Sequence, residues 1–263
     1  MNSENILEVD SIRQEFGGLV ALEDVSFSVR KGEIHGLIGP NGAGKSTMIN
    51  VMTGIYKPRQ GTISIAGTKL NGMRPDQIYA VGVARTFQNI RIWPELSLFD
   101  NVMIGAYRSS GIQPGNALLR RRKLRQRVGG MEQATLEALF KFDLDQYANR
   151  PAGSLSYGQK KLLELARAVV ASPTLLLLDE PAAGLNPVEV SNLQARLKKI
   201  VSSGTSVLVI EHNMKFVMGL CENISVLNFG RKIMTGTPTQ VQGSPEVIEA
   251  YLGSTSFQNT KKS

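Results

Sequence analysis

The chain of 263 residues has a single cysteine, Cys221, so no disulfide can form within it, and a reducing compartment fits that usage. No apolar run approaches the roughly 18–20 residues that a membrane-crossing helix needs, so the chain is not expected to span a bilayer by itself. The N-terminus lacks a basic segment followed by an apolar stretch, and no secretory signal is expected. Internal repeats and sustained heptads are missing too, which argues against solenoids and long coiled coils. Acidic residues are absent from two segments. Residues 120–127 (RRRKLRQR) carry six basic side chains and the last ten residues carry Lys261 and Lys262, which together account for the whole net charge of +8. A protein tracking a phosphate backbone spreads its basic residues over a groove or face, so this local stripe and tail do not point to nucleic acid.

What is present is an ordinary globular composition, 42% hydrophobic and 20% charged, in a chain long enough for a large α/β core. Short strand-like runs fall at 6–9, 24–29, 33–38, 62–67 and 83–87, and they resume at 174–178, 206–210 and 224–229. Between them, 98–150 is rich in Leu, Arg and Gln and reads as helical, with breaks expected around Gly111–Gly115 and Gly129–Gly130. Further helices are expected near 187–203 and 213–221. All-apolar strands alternating with helices predict a largely parallel sheet buried on both faces, with the middle section inserted as a helical lobe.

The run Gly39, Pro40, Asn41, Gly42, Ala43, Gly44, Lys45, Ser46 fits G-x-x-x-x-G-K-[ST], with a strand before it and a helix through Thr47 after it. Glycines let backbone N–H groups turn inward around phosphate oxygens, and a helix N-terminus adds its positive end. Lys45 is expected to reach the β- and γ-phosphates of ATP, and the Ser46 hydroxyl to ligate Mg²⁺.

Leu175 to Leu178 lead into Asp179 and Glu180. Two carboxylates at the C-terminal edge of a buried strand need a reason, and that edge is where α/β sheets place ligands. Asp179 suits Mg²⁺ coordination through water, and Glu180 suits the general base that orients an attacking water.

Further motifs, in the order and context expected over residues 6–240, resemble the ATP-binding subunits of ABC transporters. Leu155-Ser156-Tyr157-Gly158-Gln159 is similar to the signature motif, with Tyr157 where glycine is more usual. Gln88 matches the glutamine loop, which senses Mg²⁺ and contacts membrane subunits. His212 matches the switch histidine that contacts the γ-phosphate, and Phe16 sits where an aromatic stacks on adenine. Ala183-Gly184-Leu185-Asn186 occupies the D-loop, where Asn186 replaces the usual aspartate. The resemblance implies an α/β fold: a P-loop NTPase core, an antiparallel β subdomain and an inserted α-helical subdomain. It also implies a head-to-tail dimer in which Ser156, Gly158 and Gln159 of one subunit meet ATP held by the other. His35 reads as structural. Two readings stand for Phe16, an adenine platform or core, and two for Trp93, permease docking or core packing. The basic stretch either faces anionic headgroups or an acidic permease loop, or is a solvated helix face.

Longer stretches, among them FGGLVALEDVSFSV, LSYGQKKLLELARA, EHNMKFVM and the ending AYLG, resemble the ATPases of branched-chain amino-acid importers. This implies a peripheral ATPase on the cytoplasmic face of the plasma membrane. Its partners would be a second ATPase (identical or paralogous), permease subunits and, indirectly, an external binding protein. Urea or amide uptake and lipopolysaccharide export are the alternatives, with a nucleic-acid-associated ABC ATPase behind them. The expected organisation is one cassette over 6–253: a core of 6–97 and 173–240, a helical signature subdomain over 98–172, a C-terminal helix over 241–253, and a disordered tail over 254–263.

Overall fold

A computed structural model describes residues 4–109 and 121–251, and only the backbone of 108, 109 and 121–125. The breaks expected at Gly111–Gly115, Arg120 of the basic stretch and the tail 254–263 lie outside the described residues. Two long strands, β1 (Asn5–Phe16) and β2 (Leu19–Arg30), open the chain as a hairpin turned by Gly17 and Gly18. β4 (Gln60–Ile65) and β5 (Thr68–Lys69) join them in a four-stranded antiparallel sheet of order β2-β1-β4-β5. This is the antiparallel subdomain that the resemblance implied.

A second sheet has the order β10-β9-β3-β8-β7-β6. Its parallel members are β3 (Ile34–Ile38), β6 (Val83–Arg85), β7 (Leu175–Asp179), β8 (Ser206–Ile210) and β9 (Asn223–Asn228). β10 (Arg231–Gly236) closes the edge antiparallel to β9. Every residue of β3, β7 and β8 is buried. The two-residue period of a strand divides their side chains between two cores. Ile34, Ile38, Leu176, Leu178, Val207 and Val209 face the helical layer, whereas Leu37, Leu175, Leu177, Leu208 and Ile210 pack towards the antiparallel sheet and α1 (Lys45–Met52). His35 shares Leu37's side of β3. It is buried between Glu33 Oε1 (3.0 Å) and Ser225 Oγ (2.9 Å), the structural role expected of it.

The inserted helices are α3 (Leu98–Ser109), α4 (Arg121–Lys141) and α5 (Tyr157–Val169). The expected break at Gly129–Gly130 is absent, and α4 runs through both glycines. A pair of helical glycines costs about 1 kcal/mol each. Both are exposed, and the helix is held beyond them by buried Met131, Thr135, Ala138 and Leu139. Tertiary packing therefore overrides propensity. Before β6 lies a short helix not foreseen, α2 (Pro75–Ala80), and after β7 comes α6 (Pro187–Ser202). The helix expected over 213–221 is only α7 (Met214–Met218). The single helix expected over 241–253 is two pieces: α8 (Pro238–Gln242) ends at Gly243, and a second helix runs from 245 to 251.

Candidate active site

Four neighbouring parallel strands, β3, β8, β7 and β6, end on the same edge of the sheet. The segments that leave those ends carry the phosphate loop, His212, Glu180 and Gln88 respectively. Residues from Gly39 to His212, far apart in sequence, are gathered because strand ends gather them.

The phosphate loop fits its space through glycine. A Cβ on Gly39 would stand 2.2 Å from the carbonyl oxygen of Leu227, and one on Gly44 (φ 101) would stand 2.8 Å from that of Ala21. Only glycine permits both close approaches. Gly230, in the β9–β10 turn, donates to Ala43 O (3.1 Å) and accepts from Glu23 N (2.8 Å), tying the loop to β2. Lys45 is buried, its Nζ donating to the carbonyls of Gly39 (2.7 Å) and Pro40 (2.9 Å). Burial pushes its ammonium below the usual lysine range, while Glu180, Asp179 and Glu211 pull it back. A cavity of about 370 Å³ is lined by Asn41 to Thr47, Glu180, Ile210, Leu19 to Ala21, Phe229 and Gly230.

Glu180 stands at the centre. Its Oε2 accepts from Gln88 Nε2 (2.8 Å), and its Oε1 lies 3.3 Å from His212 Nδ1. Asp179 pairs with Arg85, whose other nitrogen reaches Asn50 Oδ1 on α1. A hydroxyl, an amide and a carboxylate (Ser46, Gln88, Asp179) make a hard-oxygen donor set that fits Mg²⁺. Among the described residues there is no cluster of three His, Cys, Asp or Glu side chains able to hold a metal.

The signature residues lie apart from this cavity. Ser156 is the N-cap of α5 and accepts from Gln159 N, while Gln159 Oε1 accepts from Ser156 N, a complete capping box. Gly158 is buried where a Cβ would meet Glu189 Oε1 of α6. Asn186 caps α6, accepting from Val188 N and Glu189 N at 3.0 Å each. Phe16 is half-exposed at the tip of the β1–β2 hairpin, its ring edge-on to Tyr56 at 5.0 Å. Trp93 is not a core residue. It is 47% exposed beneath the Arg167 guanidinium and lines a groove of about 640 Å³ with Phe87 and Arg91.

Sequence reading missed several members. Arg85 bridges α1 to Asp179, and buried Glu211 accepts from Ala182 N, His212 N and Asn213 N, fixing the turn that presents His212. The signal for Glu211 was an acid directly after the all-buried SVLVI run. Lys161 and Phe229 gave no local signal.

The fold and this edge define a P-loop ATPase cassette. The ABC transporter family matches residues 22–183, and the branched-chain amino acid ATP-binding cassette transporter family matches 231–255. The high-affinity branched-chain amino acid transport ATP-binding protein BraF of Pseudomonas aeruginosa is 40% identical over 252 residues, covering 95% of this chain and 99% of that protein. The equivalent LivG protein of Salmonella typhimurium is also 40% identical over the same coverage. Among solved structures, an ATP-binding cassette of an ABC transporter in its ADP conformation superposes with a TM-score of 0.83 at 33% identity, covering 95% of this chain and 99% of that one. The chain belongs to the ABC transporter family as an ATP-binding subunit, and is an ATPase.

Proposed function

We propose that this chain powers an importer of branched-chain or closely related amino acids. The observation that carries this is near end-to-end likeness to two proteins named for that transport, together with the family match at the C-terminal end. It works as a dimer with an identical or paralogous ATPase, peripheral on the cytoplasmic face of the plasma membrane. The residues 6–253 act as one cassette.

Lys45 and the loop amides bind the triphosphate of ATP, with Phe16 beside the adenine. Ser46, Gln88 and Asp179 would hold Mg²⁺, which when bound neutralises charge developing between the β- and γ-phosphates. Glu180, steadied by Gln88 and His212, orients the attacking water and accepts its proton. The partner's Ser156 segment closes over the nucleotide, and its loss of the γ-phosphate reopens the pair. The groove beside Phe87, Arg91 and Trp93 receives a permease helix, so closure moves the permease.

The test is co-purification with candidate permeases and binding protein, followed by ATPase assay in liposomes. Leucine, isoleucine or valine with the binding protein should stimulate turnover. Stimulation by another solute and none by these three would overturn the substrate assignment.

A further inference from the structure

The backbone of Glu180 is left-handed, at φ 47, a conformation that costs a non-glycine residue about 1–3 kcal/mol unless its surroundings enforce it. Three contacts enforce it here. Its N–H donates to Ile210 O (2.9 Å), and its carbonyl oxygen accepts from Ala183 N (3.2 Å) and from Lys161 Nζ (3.1 Å). The first two come from the strand and turn around it. The third comes from α5, five residues after its N-cap Ser156.

Lys161 is 5% exposed, and a buried ammonium is expensive unless something specific holds it. It lies 5.9 Å over the ring of Tyr157, on the first turn of the same helix. Tyr157 reaches the same stretch of chain by a second route. Its hydroxyl donates to Ala183 O (3.4 Å), and its ring packs where a Cβ on Gly184 would come within 2.8 Å. The start of α5 thus grips the segment 180–184 at both ends, one grip falling on the carbonyl of the strained glutamate. A helix of thirteen residues moves as a body, so displacement of Ser156 is also displacement of Lys161.

We propose that Lys161 is a positioning residue for Glu180: by holding its carbonyl it fixes the direction of the carboxylate and couples the signature end of α5 to the hydrolytic step of its own subunit. The proposal rests on the reading of Glu180 as the base. It gives each subunit a physical link between the nucleotide it closes over and the nucleotide it hydrolyses.

The experiment measures kcat and KM for MgATP, binding of a fluorescent ATP analogue, and thermal stability of the full chain. The variants are Lys161→Met, Lys161→Arg, Glu180→Gln and the double Lys161→Met/Glu180→Gln. Misplacing a reacting group by about 1 Å can cost up to about 10²-fold, so Lys161→Met should lower kcat by about ten- to a hundred-fold with KM and analogue binding unchanged. Lys161→Arg, which keeps the charge and the donor, should recover most of the rate. The double variant should be no slower than Glu180→Gln alone, because the lysine acts through that carboxylate. A merely structural lysine would lower the melting temperature and leave kcat of the folded protein unchanged, which would overturn the proposal, as would multiplying effects in the double variant. If Lys161→Met does not fold, Lys161→Leu, which likewise carries no donor, carries the test: lowered kcat at constant KM supports the link, and wild-type kcat overturns it. Rapid turnover by Glu180→Gln would remove the base reading itself. A slow Glu180→Gln beside a wild-type Lys161→Met would remove only this proposal.

Discussion

The side-chain amide of Gln88 lies 2.8 Å from Oε2 of Glu180, although the two residues are 92 positions apart. The loop after β6 is thereby wired to the end of β7, and whatever moves Gln88 is felt at the carboxylate. His212 Nδ1 lies 3.3 Å from the other oxygen. Both contacts survive in outline when the carboxylate becomes an amide, but an amide cannot accept a proton from water. Glu180→Gln should therefore bind ATP normally and hydrolyse it about 10²–10⁴-fold more slowly, accumulating as an ATP-bound dimer on size exclusion. Near-wild-type turnover would sink the general-base assignment.

The parts of this site written locally were legible before the fold was known. Gly39 to Ser46 announces itself because strand, glycine turn and helix are contiguous, and Asp179–Glu180 because four leucines precede two carboxylates. Long-range members were not legible. Arg85 is defined by Asp179 and Asn50, Lys161 by a carbonyl on another element, and neither stands in a pattern that spacing reveals. The same physics explains the uninterrupted α4, where packing of Met131 and Leu139 outweighs a glycine pair that sequence reads as a break. The capping box at Ser156–Gln159 shows the converse, since one set of residues satisfies both a helix rule and a family motif.

Phe229 occupies the first central position of the β9–β10 turn at φ 44 with 86% of its surface exposed. A bulky residue there bears left-handed strain and gains little burial in return. Phe229→Asn creates the Asn-Gly pair that such a two-residue turn favours. The variant should be more stable by about 1 kcal/mol, read as a higher denaturant midpoint at constant slope. A lower midpoint would mean that the ring is held by packing after all.

Cys221 is buried beneath Gly36, where a Cβ would come within 3.2 Å of its Sγ. Burial pushes its thiol from 9.0 up to about 12, helped by Glu33, Glu211 and Glu222. The unfolded chain releases this proton near its ordinary value while the folded chain keeps it. Folding stability should then fall as pH rises above 9.0, by up to about 1.4 kcal/mol per pH unit until about 12. Cys221→Ala should flatten that loss between about pH 9 and 10, measured by denaturant melts at a series of pH values. Parallel alkaline slopes for variant and wild type would refute the assignment.

The dimer is the step on which the proposed mechanism turns, and it can be tested by separating two functions that the structure keeps apart. The cavity around Lys45 is lined by the phosphate loop, β2, Glu180 and the β9–β10 turn, while Ser156 sits on another lobe, capping α5. In the proposed arrangement one subunit holds one triphosphate within its own loop, which would leave the α5 N-terminus to serve the neighbour's nucleotide. Lys45→Ala should lose nucleotide binding. Ser156→Arg removes a helix cap worth about 1 kcal/mol and adds bulk at the closing face. Once circular dichroism has shown that it folds, it should bind ATP as a monomer and fail to hydrolyse it. A mixture of the two variants forms a heterodimer with one doubly damaged site and one intact site, and partial activity should return where single sites turn over. Recovery on mixing would establish complementation in trans. The decisive measurement is binding by the single variant: if folded, monomeric Ser156→Arg cannot bind ATP, the signature acts on its own subunit's nucleotide and the sandwich is wrong.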